Sequence, residues 1–453
     1  MSNTVLDALR EKIVSDYLVK TPGSQVMFER ARKVLPGGTS GNLRFFKPYP
    51  LYMSHGDGAR SFDVDGSPYI DCFLCNGPLL LGHRHPAVEG GIAELQSVGS
   101  LVVNPEVLVT CAEKLVELSP CADQVRFLNS GTEAVMTAVR YARAYTGKDK
   151  VLKFYGHYHG QDDQFLLGVY PNRDRFGDGI PDASIENTLT LPCGDEDAFK
   201  ALLNSRDDIA CVILDPAMHA GGLWSVETEF LQLLRDVTCE KGVVLIFDEV
   251  IAGFRLGLGG AQEYHGVKSD LVIYGKALSG GEKLGAVAGA AEFMEVTNPL
   301  ASQGVPRAFQ SGTGNDGTMA LAAALGAMGE YERLAQSGEY DRLWTRVEDF
   351  EHFLKAIFAE FEIDLHINRL CSMMQLFISS KPASFANYAT LDNSLLDLFY
   401  LGLINHGLML SLPTSNHVYF SFAHDNQVFA DMKTAVRATL ETYPFTDAYK
   451  SQL

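Results

Sequence analysis

Residues 243–281 read VVLIFDEVIAGFRLGLGGAQEYHGVKSDLVIYGKALSGG and contain the strongest fold signal of the chain. Asp248 ends its first apolar run, and Lys276 follows the second, Leu271–Tyr274. Uninterrupted apolar runs of this length are typical of strands buried on both faces of a parallel sheet, and parallel strands end at one edge. We therefore expect both side chains at the same edge. A carboxylate and a lysine placed this way suit a pyridine cofactor, which needs one partner for its ring nitrogen and another for its aldehyde.

Outward from this stretch, the chain repeats a pattern of strand, loop and helix from Val125 onward. Its apolar runs are VRFL, VLKFY, IACVIL, VVLIF and LVIY. Short runs rich in Val, Ile and Leu, separated by helical segments, predict an α/β fold with a large, mainly parallel sheet and helices on both faces. In such sheets, ligands bind beyond the carboxyl ends of the strands.

The remaining segments predict two further parts. Residues 5–35 have apolar positions at helical spacing, and Asp65-Gly66 is a hairpin signal. We predict that residues 1–75 form N-terminal helices and a hairpin that pack with a small domain. The large cofactor-binding domain is predicted over residues 76–325. Helical and strand patterns after it predict a smaller C-terminal α+β domain over residues 326–453.

The composition indicates a globular protein with a large core. Of the 453 residues, 46% are apolar and 21% are charged. The formal net charge of −19 disfavours nucleic acid and acidic membranes as partners, because both attract clustered Lys and Arg. No signal-peptide core or uncharged run of membrane-spanning length is seen. Eight scattered cysteines favour reduced thiols and a cytoplasmic location.

Two patterns contain residues that can bind metals, but their spacing in the sequence does not match that of known metal sites. Cys72 and Cys75 form a C-x-x-C without a second pair at zinc spacing. The His-x-His pairs at 83–85 and 157–159 lie in turns flanked by glycine, and no carboxylate or cysteine at ligand spacing completes either one. We predict that these histidines shape turns or support neighbouring groups, and that the chain has no metal site.

The segment Asn129-Ser130-Gly131-Thr132-Glu133 lies between a predicted strand and a predicted helix. Ser130 and Glu133 match the S-x-x-E capping box, so one interpretation is a well-capped helix. The same geometry leaves backbone N–H groups and two hydroxyls available to bind a phosphate at the positive end of the helix. Alone, the motif leaves both interpretations open.

Asp248 and Lys276 also have an ordinary interpretation, as a carboxylate in a salt bridge and a solvated lysine. Facing a pyridine nitrogen, Asp248 would instead keep that nitrogen protonated and make the ring an electron acceptor. Lys276 lies in an apolar, glycine-rich run. Burial there would lower its pKa and make the neutral amine available as a nucleophile.

Four motifs in this order resemble the class III pyridoxal-phosphate aminotransferases. They are NSGTEAVMTAVRYARAYTGKDKVLKFYGHYHG from residue 129, IFDEVIAGFR from 246, SDLVIYGKALSGG from 269 and SGTGNDGTMALAA from 311. Within that class they look most like the glutamate-1-semialdehyde 2,1-aminomutase subgroup and its aminotransferase relatives. PGGTSGNLRFF, DVDGSPYIDC and GHRHP extend the resemblance over nearly the whole chain.

The resemblance implies a fold-type I pyridoxal-phosphate transferase that forms a homodimer with shared active sites. Lys276 would bind pyridoxal 5'-phosphate as a Schiff base and carry a proton, and Asp248 would pair with the pyridinium nitrogen. Val250 and Tyr158 would pack on the two faces of the ring. The phosphate would be bound by Ser130, Gly131 and Thr132, together with Gly312 and Thr313 of the partner subunit.

The resemblance also implies substrate-binding residues. Arg44, at the position of the family's PGG-x5-R arginine, would bind a substrate carboxylate. Asn76 stands where the aminomutase usually has a Trp, and Lys283 replaces a proline of the family's GGGLPxGA. The aminomutase's gating Glu falls on Asn416 or His417, depending on a one-residue gap. We assign Arg44, Asn76 and His417 to substrate binding. The departures from the family pattern lie outside the cofactor motifs.

The resulting prediction is an aminotransferase that moves an amino group between a carboxylate-bearing amine and a keto acid or aldehyde. The alternatives are a glutamate-1-semialdehyde 2,1-aminomutase, which transfers the amino group within one molecule, and an amino-acid racemase that uses the same carbanion. A Rossmann-type nucleotide-binding protein would share the strand and helix pattern. It is disfavoured because no G-x-G-x-x-G follows a strand, and Gln262 stands where the last glycine is required.

Overall fold

The computed structural model describes residues 4–171, 174–378 and 385–452. These residues form two compact units. The described residues of the first unit are 4–85, 339–378 and 391–452, and those of the second are 86–171, 174–338 and 385–390.

Strands and helices alternate through much of the chain. In chain order the strands are β1 (Met53–Asp57), β2 (Arg60–Asp63), β3 (Pro68–Asp71), β4 (Gln124–Leu128), β5 (Lys150–Phe154), β6 (Thr188–Leu191), β7 (Ile209–Leu214), β8 (Val244–Asp248), β9 (Leu271–Tyr274), β10 (Gly285–Gly289), β11 (Leu365–Leu370), β12 (Met373–Ile378), β13 (Leu408–Met409) and β14 (Val418–Tyr419).

The helices confirm the amphipathic segments predicted within residues 5–35. In chain order the α-helices are α1 (Thr4–Lys20), α2 (Pro22–Ala31), α3 (Pro86–Leu95), α4 (Glu106–Leu118), α5 (Gly131–Thr146), α6 (Asp182–Ile185), α7 (Glu196–Ser205), α8 (Thr228–Lys241), α9 (Gly260–His265), α10 (Ala291–Met294), α11 (Thr318–Gln336), α12 (Glu339–Glu360), α13 (Phe385–Tyr388), α14 (Ser394–Asn405), α15 (Asn426–Thr442) and α16 (Phe445–Lys450). Within the described part of the chain, none of them has the length and apolar character needed to span a bilayer.

The second unit contains a seven-stranded sheet with the order β4-β10-β9-β8-β7-β5-β6. Strand β10 is antiparallel to both of its neighbours, and the pairs from β9 to β6 are parallel. The prediction of a large, mainly parallel sheet is therefore confirmed. The sequence pattern did not indicate β10, because Val287 is the one β-branched residue in its sequence, GAVAG, and the others are glycine and alanine.

Both faces of this sheet are covered, and strand β8 shows how. Val244 and Ile246 belong to one hydrophobic cluster, whereas Leu245 and Phe247 belong to the cluster on the opposite face. Each of the four side chains is almost fully buried, which contributes roughly 1.5–3 kcal/mol per side chain. Burial on both faces explains why the strand is an unbroken apolar run in the sequence.

The first unit is built from both ends of the chain. One of its sheets has the order β1-β2-β3-β13, and another has the order β11-β12-β14. Its hydrophobic cluster joins Leu9 and Ile13 of α1 to Phe399 of α14 and Val436 of α15. Residues far apart in sequence therefore stabilise one core.

The predicted hairpin at Asp65-Gly66 connects β2 and β3, which are antiparallel. Asp63 Oδ1 accepts hydrogen bonds from the N–H groups of Asp65 at 2.9 Å and Ser67 at 2.8 Å. Gly66 has a φ of 83°, which glycine adopts without a steric cost. The Asp63 carboxylate thus stabilises the turn.

Residues 74–77 form a run of four consecutive residues with positive φ. Leu74, Cys75 and Asn76 have φ values of 48°, 58° and 71°, and Gly77 has 101°. For residues with a side chain, this conformation costs roughly 1–2 kcal/mol each. The backbone therefore keeps this conformation only because its surroundings stabilise it.

Asp71 stabilises the start of this run. Its Oδ1 accepts hydrogen bonds from the N–H groups of Phe73 at 3.0 Å and Leu74 at 2.8 Å. Its Oδ2 lies 2.8 Å from Nε2 of His83, the first histidine of the GHRHP turn. This pairing agrees with the predicted supporting role of that histidine.

Gly77→Ala should lower the thermal unfolding midpoint more than Gly66→Ala does. Both glycines have positive φ, so either alanine costs about 1–2 kcal/mol in the backbone. Only at Gly77 would the new Cβ meet a ring, with Tyr419 Cε1 at 2.8 Å, whereas nothing lies within 4 Å at Gly66. Crowding adds about 1–3 kcal/mol. Scanning calorimetry measures both midpoints, and equal values for the two variants would contradict this packing.

Candidate functional site

Asp248 and Lys276 stand at the same edge of the large sheet, as the sequence pattern predicts. Asp248 is the last residue of β8, and it lies opposite Ile273 of the parallel neighbour β9. Lys276 follows the end of β9 by two residues and begins the 3-10 helix Lys276–Ser279. Its φ is 43°, so the backbone leaves the strand abruptly at this residue.

Two further parallel strands deliver polar groups to this edge. His159 follows β5, and its Nδ1 lies 2.7 Å from Asp248 Oδ2. Asp215 follows β7, and its N–H donates a hydrogen bond to His157 Nδ1 at 3.0 Å. Both histidines, predicted to support neighbouring groups, do so here.

Hydrogen bonds hold both buried carboxylates in place. Asp215 accepts the N–H groups of Ala217 at 2.9 Å and His219 at 3.0 Å. Asp248 Oδ1 accepts the N–H of Val250 at 3.1 Å, and its Oδ2 contacts His159. Since every one of these contacts is local or comes from a residue that follows another strand of the same sheet, the sheet edge sets the orientations of the carboxylates.

Burial dominates the electrostatics of Asp248. It raises the pKa of the carboxyl to about 7, while the Val250 N–H and the positive charge of Lys276 act in the opposite direction. Burial, followed by the charge of Lys153, holds the pKa of His159 well below its usual value. A cation placed at this carboxylate would favour its ionised form, because opposite charge offsets the cost of desolvation.

The proton of the His159 ring is best placed on Nδ1. The Nε2 atom is buried and has no hydrogen-bond partner among the residues that the structure describes. An unsatisfied buried N–H is costly, so a neutral ring carries its proton on the nitrogen that faces a carboxylate. His159 therefore donates to Asp248.

Lys276 has a pKa lowered to about 8. Burial is the largest cause and the charge of Arg255 adds to it, whereas the carboxylates of Asp248 and Asp215 raise the value. The side chain thus carries a substantial neutral fraction in mildly alkaline solution, where an ordinary lysine is fully charged. A neutral amine is the nucleophilic form.

The segment at the start of α5 confirms the predicted helix cap. Ser130 Oγ accepts the N–H of Glu133 at 3.2 Å. The Glu133 carboxylate accepts the N–H of Asn129 at 3.0 Å, one residue before the cap. The N–H groups of Gly131 and Thr132 are among the first of the helix and have no acceptor within it. With the hydroxyls of Ser130 and Thr132, they make the helix end a suitable site for an anion.

Other parts of the chain approach this helix end closely, and they can do so because glycines with no side chain lie at the points of contact. A Cβ at Gly160 would lie 2.6 Å from Thr132 Oγ1, and one at Gly285 would lie 2.4 Å from the Ser130 carbonyl oxygen. The methyl groups of Val250 lie close to both Gly131 and Gly275. A Cβ added at Gly131 would lie 2.9 Å from one of them, and a Cβ added at Gly275 would lie 3.3 Å from the other. Val250 therefore lies between the helix end and the residue that precedes Lys276.

These groups fit the three polar parts of pyridoxal 5'-phosphate. The open end of α5 suits a phosphate. A cation beside the buried Asp248 would favour the ionised form of its carboxyl, and a protonated pyridine nitrogen is such a cation. Lys276, with its lowered pKa, suits an aldehyde.

The other predicted cofactor contacts lie nearby or on the surface. Tyr158 is 43% exposed, and burial followed by the charge of Asp248 raises the pKa of its hydroxyl. Gly312 and Thr313 are exposed in the loop before α11. Asn315 of that loop accepts a hydrogen bond from Asn129 at 2.9 Å, so the loop is joined to the residue before the Ser130 cap.

The three predicted substrate residues belong to the first unit. His417 Nδ1 lies 3.2 Å from Asn76 Oδ1, which also accepts the Tyr419 hydroxyl at 3.0 Å. Arg44 is exposed at the end of the 3-10 helix Asn42–Arg44. Burial raises the pKa of the Cys75 thiol, and the charge of Arg44 opposes this rise. Arg44 therefore lies near the residue that precedes Asn76.

The structure distinguishes the two residues that align with the gating position. Asn416 is bound to the backbone of Leu376, to which it donates at 2.6 Å and from which it accepts at 3.1 Å, and it also accepts the Tyr400 hydroxyl. Its amide therefore stabilises the chain. The ring of His417 instead contacts Asn76, another predicted substrate residue.

Several residues of the site were not found from the sequence. Asp215 directly follows the apolar strand β7, much as Asp248 ends β8. A search for polar residues at strand ends would therefore have found it. Tyr419 has no such signal, because its partner Asn76 is distant in sequence. Among residues 4–171, 174–378 and 385–452, no cluster of His, Cys, Asp and Glu suits a metal ion, and all eight cysteines are free.

Comparisons with known proteins identify the family. The family model of aminotransferase class-III matches residues 46–349. The glutamate-1-semialdehyde 2,1-aminomutase of Methanothermobacter thermautotrophicus is 37% identical over 92% of this chain and 97% of its own length.

Two solved structures are also similar. An omega-transaminase from Sphaerobacter thermophilus has a TM-score of 0.86 and 32% identity, covering 94% of this chain and 99% of its own. A β-phenylalanine aminotransferase from Variovorax paradoxus has a TM-score of 0.85 and 27% identity, covering 96% and 98%.

In the cofactor-free protein, an amine-acylating reagent should modify Lys276 with a midpoint near pH 8. The pKa of Lys276 is lowered to about 8, so its neutral fraction rises as pH passes that value. Lys114 is the internal control, because its two glutamate partners raise its pKa and delay its reaction to more alkaline solution. Peptide mapping by mass spectrometry measures both rates. Asp248→Asn should move the Lys276 midpoint lower, and identical profiles for the two lysines would contradict the lowered pKa.

Proposed function

The chain belongs to the class-III aminotransferase family, and we propose that it moves an amino group between a carboxylate-bearing amine and a keto acid or aldehyde. Its cofactor is pyridoxal 5'-phosphate. One observation carries the proposal. Asp248 and Lys276 lie at the ends of neighbouring parallel strands, and burial raises the pKa of Asp248 and lowers that of Lys276, so that it favours the neutral form of each.

Bound pyridoxal phosphate supplies an electron sink for negative charge at the carbon that bears the amine. Lys276 would hold the cofactor covalently and would then move the proton at that carbon, since its pKa of about 8 permits both gain and loss. Asp248 would hold the proton at the pyridine nitrogen. His159 donates to Asp248 Oδ2 and would keep that carboxylate oriented.

The remaining cofactor contacts bind and orient. Ser130, Gly131 and Thr132 would bind the phosphate with the N–H groups and hydroxyls at the start of α5. Val250 and Tyr158 would pack on opposite faces of the ring. The position of Val250 between Gly131 and Gly275 supports this role.

A homodimer with shared sites is part of the proposal. Gly312 and Thr313 of the partner subunit would complete the phosphate site, and the exposure of both residues in the single chain supports such a contact. The cytoplasm is the proposed location, supported by eight free cysteines. Small amines and keto acids are the proposed partners.

The substrate contacts follow from the resemblance. Arg44 would bind the substrate carboxylate, since its planar group can donate two parallel hydrogen bonds. Asn76 and His417 would contact the rest of the substrate. Their mutual hydrogen bond supports a common role. An omega-transaminase and a β-phenylalanine aminotransferase among the similar structures support transfer between two substrates.

The second candidate is glutamate-1-semialdehyde 2,1-aminomutase, the name of the relative that is 37% identical. A mutase must retain its half-converted substrate until the nitrogen returns, whereas an aminotransferase releases one product and accepts a second substrate. Retention depends on the pocket, where Asn76 and His417 replace the usual tryptophan and glutamate. Those replacements favour the aminotransferase.

An amine panel tests the proposed function. Mixing the cofactor-loaded protein with single amino acids and amines should convert the absorbance of bound pyridoxal phosphate to that of the amine form. Lys276→Ala, which lacks the amine that moves the proton, should lose this conversion. A wild type that does not bind the cofactor, or that converts with no amine, would refute the proposal. Turnover of glutamate-1-semialdehyde without a keto acid would instead establish the mutase.

Arg44→Ala should raise KM for carboxylate-bearing amines by about 10- to 100-fold, because a hydrogen bond to a charged group contributes roughly 1.5–3 kcal/mol. Its effect on simple amines should be small. Arg60→Ala is the matched control, since Arg60 of the same unit pairs with Asp431. Steady-state kinetics of the wild type, Arg44→Ala and Arg60→Ala give KM for both classes of amine. Equal effects of Arg44→Ala on both classes of amine would remove Arg44 from substrate binding.

A further inference from the structure

Lys153 is a fully buried lysine that none of the proposed functions uses. It lies on β5 with 0% exposure. Its Nζ donates to the carbonyl oxygens of Phe165 at 3.0 Å and Leu167 at 2.7 Å. Among the described residues, no carboxylate forms an ion pair with it. Burial lowers its pKa to about 7, and the neutral amine still has the two N–H bonds that these two acceptors require.

The segment that Lys153 holds leads directly to the site. The Phe165 ring is fully buried, and it packs edge-on against His159, with ring centres 6.1 Å apart and planes at 79°. His159 in turn donates to Asp248 at 2.7 Å. One continuous series of contacts therefore runs from Lys153 through the segment 165–167 and His159 to the carboxylate.

We propose that Lys153 is a positioning residue that holds the segment 165–167 so that Phe165 keeps the His159 ring against Asp248. This inference rests on the proposed role of Asp248 toward the pyridine nitrogen. Lys153 touches neither substrate nor cofactor in this scheme. Its effect reaches them only through the orientation of the carboxylate.

Other contacts on both sides of the segment make the substitution of Lys153 informative. The Gln164 carbonyl accepts the Thr188 hydroxyl at 3.0 Å, and the Gly168 carbonyl accepts the Gly156 N–H at 2.8 Å. The segment therefore stays attached to the sheet when Lys153 is replaced. Only the carbonyl oxygens of Phe165 and Leu167 lose their hydrogen-bond donor.

Lys150 provides a matched control on the same strand. It also donates two hydrogen bonds to a later segment, to the Glu186 carbonyl at 2.9 Å and to Asn187 Oδ1 at 2.8 Å. Among the described residues, no hydrogen bond or ring contact joins that segment to His159. Lys150→Met therefore removes a lysine and its two hydrogen bonds from the same strand, but none of the contacts that join Lys153 to His159.

The experiment compares Lys153→Met with Lys150→Met in the full-length protein. Absorbance titration with pyridoxal phosphate measures affinity, and the visible spectrum of the bound form reports on the environment of the ring. Lys153→Met should weaken affinity on the order of tenfold, the lower end of what loss of an outer hydrogen-bonding partner does at metal sites. It should also shift the spectrum, whereas Lys150→Met should do neither.

A double-mutant cycle tests the route. In a His159→Gln background, Lys153→Met should change affinity by less than about twofold, since its effect passes through that ring. Full additivity of the two changes would overturn the proposal. So would a Lys153→Met protein that has only a lower thermal midpoint and the affinity and spectrum of Lys150→Met.

A second variant covers the case in which Lys153→Met does not fold. Phe165→Leu keeps both Lys153 hydrogen bonds but removes the ring edge from His159, so it should weaken affinity and shift the spectrum in the same direction. Unchanged cofactor binding in Phe165→Leu would overturn the proposal. Absence of cofactor binding by the wild type would refute the proposed function instead, so the two failures are distinguishable.

Discussion

The free-energy cost of burying charge at one edge of a parallel sheet governs this site. Asp215 and Lys276 follow strands of this sheet, Asp248 ends one, and Lys153 lies within β5 near its end. Burial moves the pKa of each of them toward neutrality. Hydrogen bonds to these groups and the opposite charges of Lys276 and the two carboxylates offset only part of that cost. In the proposed function, a bound group with a cationic nitrogen would supply a positive charge beside Asp248, and occupancy of the site would then stabilise the sheet edge.

Much of the fold and of this edge was predictable because the signals are local. An apolar run closed by Asp248, a second run followed by Lys276, and a serine three residues before Glu133 each depend on fewer than ten neighbouring residues. Strand burial and helix capping act at that range. The parallel pairing of β8 with β9 then brings two local signals together without further information.

The rest depends on contacts between distant segments. Strand β10 has small residues with weak strand preference, and it forms because β4 and β9 offer hydrogen bonds on both sides. The bonds from His159 to Asp248 and from Tyr419 to Asn76 join residues separated by long stretches of chain. Lys153 looks like an ordinary strand lysine in the sequence. Its burial is evident only once the segment 165–167 covers it.

The left-handed backbone at residues 74–77 has a consequence for how this enzyme can diversify. Asn76 has a φ of 71°, a conformation that asparagine tolerates better than bulky or branched residues. Side-chain choice at this position is therefore coupled to backbone conformation. Replacing Asn76 with a residue that tolerates this φ poorly would lower stability unless the turn that Asp71 holds also changed. Stability thus limits which side chains residue 76 can carry, whatever their effect on the site.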